Sequence, residues 1–225
     1  MAAQIERALG DAESVVNIGA GTGSYEPVDR RVVAVEPSSV MIAQRPFGAA
    51  PVIQGGAEHL PFADGSFDAA MALLTIHHWS DVAAGLAEMV RVADRVIVWT
   101  FDQAVHGRFW LFEEYIAESN ALPASRTVSP PEVAAALGAG RIEVIPIPAD
   151  CVDGFNWAYW RRPAAYLDPE VRACISGLAL LDDDLVARRM EKLRADLADG
   201  TWTRRHADLL DLDSVDGGLR LVVKE

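Results

Sequence analysis

Three glycines at alternate positions, Gly19, Gly21 and Gly23, follow an apolar run, and a second apolar run ends at Glu36. Glycine lets the backbone take positive φ angles and approach a ligand closely, because no Cβ occupies the ligand's space. A carboxylate at the end of the next strand can accept hydrogen bonds from both hydroxyls of a ribose. The stretch therefore predicts a nucleoside-binding unit of strand, loop, helix and strand.

The spacing of these glycines distinguishes between nucleoside ligands. The dinucleotide fingerprint Gly-x-Gly-x-x-Gly requires a third glycine where this chain has Ser24, and no Gly-Lys-Ser/Thr of a phosphate-binding loop follows. A bare GxGxG is also compatible with an ordinary turn between a strand and a helix. A nicotinamide-dependent oxidoreductase is therefore a less favoured interpretation.

Further motifs follow in a fixed order. The segment QGGAEHLPF at residues 54–62 precedes DGSFD at 64–68, and an apolar run then leads to TIHHW at 75–79. By the order and spacing of these motifs the chain resembles class I S-adenosylmethionine (SAM) dependent methyltransferases, in particular the type 11 small-molecule group. The resemblance covers roughly residues 14 to 148 and the last strand.

The resemblance implies that the chain binds SAM and releases S-adenosylhomocysteine. In the family the glycine loop passes under the methionine half of SAM, an acid binds the ribose, and two further loops meet the adenine and the amino group. The expected cofactor-binding residues are Gly19, Ala20, Gly21, Gly23, Glu36, Pro37, Met41, Gly56, Ala57, Glu58, Leu73, Leu74 and Thr75. Because Gly56 replaces the family's acid for the adenine amine, Glu58 or a backbone carbonyl must take that role.

Methyl transfer depends mainly on alignment of the acceptor with the methyl group, and it needs a base only when the acceptor begins protonated. His77 and His78 follow the predicted fourth strand. An imidazole titrates near neutral pH, so these two are the candidate catalytic residues. Packing against Trp79 or capping of the next helix is the structural alternative, and His106 is a weaker candidate base.

Aromatic and basic residues are concentrated after the predicted sixth strand. Aromatic faces pack against planar substrates, and the arginine fork binds carboxylates. With one residue from an earlier aromatic cluster, the candidate substrate-binding residues are Trp110, Trp157, Tyr159, Arg161 and Arg162. The alternative is that the aromatic rings belong to the core and that the arginines pair with nearby acids such as Asp168 and Glu170.

Apolar runs alternate with helical patterns, which predicts an α/β fold with a parallel sheet. Strands are predicted near 15–18, 32–36, 51–53, 68–74, 95–101, 142–147 and 219–223, and helices near 3–9, 39–45, 81–91, 129–137, 168–181 and 183–197. With the resemblance, this indicates a seven-stranded, mostly parallel Rossmann-like sheet with helices on both faces and an antiparallel last strand. We expect one domain, 1–225, with a helical cap at 149–215 inserted between strands six and seven. If this cap excludes water from the pocket, the order of residues 149–165 should depend on ligand.

The net charge of −13, from 33 acidic and 20 basic residues, disfavours a nucleic-acid substrate, which needs a basic surface. Cys151 and Cys174 lack metal-ligand or disulfide spacing, so no metal is expected. No leader pattern and no apolar run of membrane-spanning length is present. We therefore expect a cytoplasmic monomer or homodimer with a small-molecule substrate and no membrane partner.

Together these observations predict a SAM-dependent methyltransferase that acts on an oxygen, nitrogen or carbon nucleophile of a small molecule, such as a carboxylate-bearing or aromatic metabolite. The sequence leaves two alternatives open. One is a non-catalytic SAM-binding protein, because the motifs contain no obvious base, and the other is the nicotinamide-dependent oxidoreductase.

Overall fold

A computed structural model describes residues 1–120, 128–138 and 140–225. The chain divides into two compact units. The sheet unit contains the described residues of 1–102, 123–145 and 219–225, and the helical unit contains those of 103–122 and 146–218.

Helices and strands alternate through the first part of the chain. In chain order they are α1 (Ala2–Leu9), β1 (Ser14–Ile18), β2 (Arg31–Glu36), α2 (Ser39–Ala43), β3 (Val52–Gln54), β4 (Phe67–Leu73), α3 (Val82–Val92), β5 (Ala93–Phe101), α4 (Gln103–His106), α5 (Trp110–Glu114), α6 (Pro130–Ala136), β6 (Arg141–Val144), β7 (Ile147–Pro148), α7 (Pro169–Ala173), α8 (Ser176–Ala179), α9 (Asp183–Ala198), α10 (Thr201–Arg205), α11 (Ala207–Leu210), β8 (Ser214–Val215) and β9 (Leu219–Lys224).

The large sheet has seven strands in the order β3-β2-β1-β4-β5-β9-β6. Strands β1 to β5 pair in parallel, with Val16 opposite Val33 on one side and Ala70 on the other. Strand β9 is antiparallel to both β5 and β6. This confirms the predicted mostly parallel sheet with an antiparallel last strand, and it brings the carboxyl ends of β1, β2 and β4 to one edge.

Helices cover both faces of this sheet, as predicted. On one face, Val16 shares a core cluster with Met89 of α3 and Val133 of α6. On the other face, Arg95 of β5 donates a hydrogen bond from Nη1 to the carbonyl oxygen of Ala8 in α1, at 3.0 Å. Because helices cover both faces, all five residues of β1 are buried. A strand in this position needs a nearly continuous apolar sequence, which β1 largely has.

Side-chain caps mark the beginnings of α3 and α6 in the sheet unit. Ser129 and Glu132 form the predicted capping box of α6, because each side chain bonds the backbone N–H of the other residue. The Asp81 carboxylate accepts the Ala84 N–H at the start of α3. Both caps satisfy amide groups that have no partner within the first helical turn.

Two predicted elements differ from those observed. The single helix predicted at 168–181 is wrong, because α7 and α8 are separated at Ile175, which is extended and buried. The strand predicted at 142–147 is also too long. Strand β6 ends at Val144, Pro146 offers no N–H for further pairing, and Ile147 pairs with Val215 in a separate two-stranded sheet.

In the helical unit, α9 confirms the amphipathic helix predicted at 183–197, and its buried residues are Val186, Met190 and Leu193. The interior of this unit also contains buried aromatic residues, including Phe109 and Trp202. The boundaries of a cap at 149–215 and its dependence on ligand stay predictions. Among the residues with a described structure, no helix has the length and apolar character to cross a membrane.

The Glu88–Arg91 pair in α3 predicts a pH-dependent contribution to stability. Hydrogen bonds from Arg91 outweigh the effect of burial and, with the Leu60 amide, lower the pKa of Glu88 from 4.5 to about 2. A carboxyl group with a lowered folded-state pKa stabilises the fold above its unfolded-state pKa and loses that contribution as the pH falls through the folded value.

We expect Glu88→Gln to lower the free energy of unfolding near neutral pH, and the difference from wild type to shrink between pH 4.5 and about 2. Urea unfolding at several pH values measures this difference. A difference that stays constant down to the acid end of that range would contradict the role of the charged pair.

Candidate functional site

The loop after β1 depends on its three glycines. Gly19, Gly21 and Gly23 have φ angles of 67°, 55° and 95°, in the region that strains residues with a Cβ. A Cβ on Gly19 would lie 2.1 Å from Oγ1 of Thr75, so the loop also packs directly against the residue that follows β4. Glycine at position 19 is therefore required by both conformation and space.

Glu36, at the end of β2, ties this loop to the next strand. Its Oε2 accepts the Gly21 N–H at 2.8 Å, and its Oε1 accepts the Ser38 N–H at 2.9 Å. The residue is only 6% exposed. Because a carboxylate has about four acceptor positions, each oxygen retains capacity for one more donor, such as a ribose hydroxyl.

Pro37 and Met41 lie next to this acid. Both are exposed, and Met41 Cε is 3.3 Å from the place that a Cβ on Gly21 would occupy. The Pro37 carbonyl oxygen accepts a hydrogen bond from Gln54 Nε2 at 3.1 Å, which links β2 to the end of β3. The two side chains thus present apolar surface beside the loop, and their contact with an adenine ring stays a prediction. Ala20, between the first two glycines, is buried.

Glu58 caps the turn that leads into α3. Its Oε1 accepts hydrogen bonds from Ser80 Oγ at 2.7 Å and from the Ser80 and Asp81 amides. Burial opposes ionisation of Glu58, but these hydrogen bonds outweigh it and lower its pKa. Its Oε2 lies 2.8 Å from the place of a Cβ on Gly56, so the carboxylate occupies space that a side chain at position 56 would take. Ala57 is buried in the core.

The chain is strained where β4 ends. Leu74 has a φ of 52°, which is uncommon for a residue with a large side chain, and its N–H donates to the Trp99 carbonyl oxygen at 2.8 Å. Leu73 and Leu74 are half-buried, while Thr75 is 8% exposed. Strain of this kind persists only where the surroundings hold it, and it is concentrated at functional sites.

His77 and His78 lie directly after this strained residue, in a short 3₁₀ helix. Their ring centroids are 4.0 Å apart, and the His77 ring is 5.3 Å from that of Phe101 at the end of β5. His77 is half-buried and His78 is exposed. Trp79 instead belongs to the core, where its ring packs closely on Gly85 of α3. The structure therefore places both imidazoles at the carboxyl edge of the sheet.

In the helical unit, the two candidate tryptophans bond to backbone carbonyl groups. Trp110 is buried and donates from Nε1 to the Trp160 carbonyl oxygen at 2.9 Å. Trp157 is half-buried, donates to the His106 carbonyl oxygen at 3.0 Å and stacks on Phe109 with ring centroids 4.4 Å apart. For Trp110 these contacts favour the alternative that it belongs to the core.

The candidate arginines also contact backbone carbonyl groups. Arg161 donates to the carbonyl oxygen of Leu212 at 2.8 Å, whereas Arg162 donates to that of Cys151 and lies over the Tyr159 ring at 4.8 Å. The expected alternative, pairing with Asp168 or Glu170, is wrong. The Asp168 carboxylate instead accepts the Glu170 N–H at the start of α7, which is the more local partner.

His106, the weaker candidate base, lies in the interior of the helical unit. It is 7% exposed, and its Nδ1 lies 3.1 Å from the Gly217 carbonyl oxygen. Burial lowers the pKa of His106 to about 4, so the imidazole is neutral near pH 7. A buried residue with this contact is less suited than His77 or His78 to meet an acceptor.

Sequence reasoning missed three residues beneath the glycine loop. Arg45 and Glu26 form an ion pair at 2.7 Å, with side chains only 5% and 9% exposed. Asn17 of β1 donates from Nδ2 to Glu26 Oε1 at 3.1 Å. The signal for Asn17 was a single polar residue within an apolar strand, whereas nothing local marks the pairing of Glu26 with Arg45.

The residues at this edge fit SAM. The Asn17 Oδ1 atom is buried and has no hydrogen-bond partner among the described residues, which favours a donor from a ligand because an unpaired buried amide is costly. Glu36 retains acceptor positions for ribose hydroxyls, and the glycine loop has no Cβ to obstruct a ligand. Fold and site together define the class I SAM-dependent methyltransferase architecture.

Comparisons with known proteins agree with this class. A family model described as a methyltransferase domain matches residues 16–95. The demethylmenaquinone methyltransferase of Renibacterium salmoninarum is 30% identical over 179 residues, which cover 75% of this chain and 73% of that protein. A crystal structure from Anabaena variabilis is described as a candidate methyltransferase from an antibiotic biosynthesis pathway, and its sequence is 33% identical to this chain. The structural match covers 100% of this chain and 96% of the Anabaena chain, with a TM-score of 0.91.

The chain therefore belongs to the SAM-dependent methyltransferase family, and not to the nicotinamide-dependent oxidoreductases. SAM is the cofactor of this family.

Other relatives are matched over a shorter part of their length. The demethylmenaquinone methyltransferase of Mycolicibacterium gilvum is 34% identical over 127 residues, which cover 53% of this chain and 55% of that protein. The chain thus spans little more than half the length of several curated relatives.

The close approach of Gly19 to Thr75 predicts the effect of a single methyl group. We expect Gly19→Ala to lower the free energy of unfolding by about 1–3 kcal/mol more than Gly48→Ala, because the added Cβ collides with Thr75. Gly48 is the matched control, since its φ is 84° but nothing lies within 4 Å of its Cβ position. Urea unfolding measures both variants, and equal losses would contradict the steric explanation.

Proposed function

We propose that this chain transfers a methyl group from SAM to a small-molecule acceptor. The observation that carries the proposal is the glycine loop at the carboxyl edge of the sheet, where the Gly21 N–H is fixed on the buried Glu36 carboxylate. Family membership supports the same reaction class. A non-catalytic SAM-binding role has no specific observation in its favour.

The proposed cofactor site joins the loop after β1 to the ends of β2, β3 and β4. Glu36 would accept from the ribose hydroxyls, and the acceptor for the adenine amine would be Glu58, whose carboxylate lies beside Gly56. The complete proposed set is Gly19, Ala20, Gly21, Gly23, Glu36, Pro37, Met41, Gly56, Ala57, Glu58, Leu73, Leu74 and Thr75.

Methyl transfer mainly requires that the protein align the acceptor with the methyl group of SAM. SAM supplies an electrophilic methyl group on a sulfonium, and the acceptor's lone pair must approach it from the side opposite the sulfur. Holding two reactants in such a geometry contributes as much as ~7–11 kcal/mol in favourable cases. We propose that His77 or His78 accepts a proton from an acceptor that begins as an alcohol, phenol or enol. A carboxylate acceptor would need no base.

The names of the relatives favour an aromatic acceptor. Several are named demethylmenaquinone methyltransferases, so those proteins act on a quinone-type ring. In the helical unit, the partly exposed rings of Trp157 and Tyr159 are proposed substrate contacts, and Arg161 and Arg162 would bind an acidic group. Trp110 is proposed only as part of the wall behind these contacts, because it is buried whereas Trp157 is partly exposed. The net charge of −13 argues against nucleic acid as the acceptor.

Binding of S-adenosylhomocysteine tests the cofactor site directly. We expect Glu36→Ala to weaken binding ~10- to 100-fold, because it removes charge-assisted hydrogen bonds to the ribose and to Gly21. Isothermal titration calorimetry gives the dissociation constant. Glu143→Ala on β6 is the control, since Glu143 pairs with Arg141 away from the loop. Absence of binding by the wild-type protein would overturn the proposed function.

The base is tested with labelled SAM and two panels of acceptors, phenols with quinols and aliphatic carboxylic acids. We expect transfer to the hydroxylated aromatic compounds, with a rate that rises with pH. His77→Asn or His78→Asn should lower kcat ~10²- to 10⁴-fold without changing the affinity for S-adenosylhomocysteine. Transfer to carboxylic acids alone, unaffected by either variant, would show that no base is used.

A further inference from the structure

A buried ion pair lies beneath the glycine loop of the sheet unit. Arg45 follows α2, and Glu26 follows the loop in sequence, so the pair joins two segments that are separate along the chain. Arg45 Nη2 lies 2.8 Å and 2.7 Å from the two carboxylate oxygens of Glu26. Both side chains are almost completely withdrawn from solvent.

The loop itself is the third partner of this pair. Arg45 Nη1 donates to the carbonyl oxygen of Gly21 at 3.1 Å, while the Gly21 N–H donates to Glu36 at 2.8 Å. The polar groups on both sides of Gly21 are therefore held by charged side chains. The pair also restricts position 23 to glycine, because a Cβ on Gly23 would lie only 3.0 Å from Glu26 Oε2.

Further hydrogen bonds join the pair to β1 and to the segment before β3. Asn17 of β1 donates to Glu26, and Ala50, before β3, contacts both charged groups through its backbone. Taking two charges out of water is unfavourable unless further hydrogen bonds satisfy them, so a buried pair by itself is a weak source of stability. Here one of its bonds, from Arg45 Nη1 to the Gly21 carbonyl oxygen, reaches the glycine loop, and this bond indicates a role in the geometry of that loop.

We infer that Arg45 and Glu26 are positioning residues for the SAM loop. They fix the Gly21 carbonyl group while Glu36 fixes the Gly21 N–H, so the peptide groups on both sides of Gly21 are held, and they do this without contacting the cofactor themselves. This inference rests on the proposed function, since it assigns a task to groups around the same site. The loop geometry before binding, and so the affinity for SAM, depends on the pair.

The test compares Arg45→Met with Arg30→Met. Arg30 is a matched control, because its side chain is also mostly buried, at 12% exposed, pairs with Glu6 and donates to the Ala12 carbonyl oxygen at 3.0 Å. These contacts lie at the amino end of β1, whereas the glycine loop follows its carboxyl end. We expect Arg45→Met to weaken S-adenosylhomocysteine binding about tenfold or more, and Arg30→Met to change it less than about twofold, by calorimetry. In the transfer assay, KM for SAM should rise for Arg45→Met while kcat at saturating SAM is retained.

Arg45→Lys, with Arg30→Lys as its control, covers the case in which Arg45→Met does not fold. Lysine keeps a charge for Glu26 but lacks the planar fork that binds Glu26 and the Gly21 carbonyl group together. We expect a weakened affinity for S-adenosylhomocysteine in Arg45→Lys only. Equal affinities in the Arg45 and Arg30 variants would overturn the inference while leaving the proposed function intact. Failure of the wild-type protein to bind would overturn the proposed function itself.

Discussion

The site depends on the placement of one peptide segment, the backbone at Gly21. Its φ is positive, its N–H donates to the Glu36 carboxylate, and its carbonyl group accepts from Arg45. A residue with a Cβ would be strained in this conformation. Because the two charged partners come from different elements, the loop conformation is held from both sides by the folded sheet unit rather than by the loop sequence alone.

The parallel sheet supplies the second constraint, since it brings the ends of β1 and β4 together. Thr75 fills the space that a Cβ on Gly19 would need, and Leu74 is held in a strained conformation by its hydrogen bond to Trp99 on β5. The glycine loop and the residues before His77 are thus fixed by the same packing. Preorganisation of this kind suits a reaction whose main requirement is alignment.

In the helical unit, tryptophan and arginine side chains that could bind a ligand instead make hydrogen bonds within the fold. Trp110 and Trp157 use their N–H groups on backbone carbonyls, and Arg161 donates to the carbonyl oxygen of Leu212 near α11. A buried aromatic core needs partners for its polar atoms, and nearby backbone carbonyl groups provide them. The aromatic density of this unit therefore reflects its core, and any contacts with substrate involve the parts of Trp157, Tyr159 and the arginines that remain accessible.

The sequence by itself determined the alternation of strands and helices, the glycine loop and Glu36 at the end of β2, because each follows from local periodicity and short spacing. The antiparallel direction of the last strand followed from the family resemblance. The sequence also predicted the capping box at Ser129. Tertiary structure alone decided the pairing of Arg45 with Glu26, the break of the predicted helix at Ile175, and the carbonyl partners of the arginines. These depend on contacts between segments distant in sequence, and a polar side chain's partner is decided by which group the fold brings within hydrogen-bond distance.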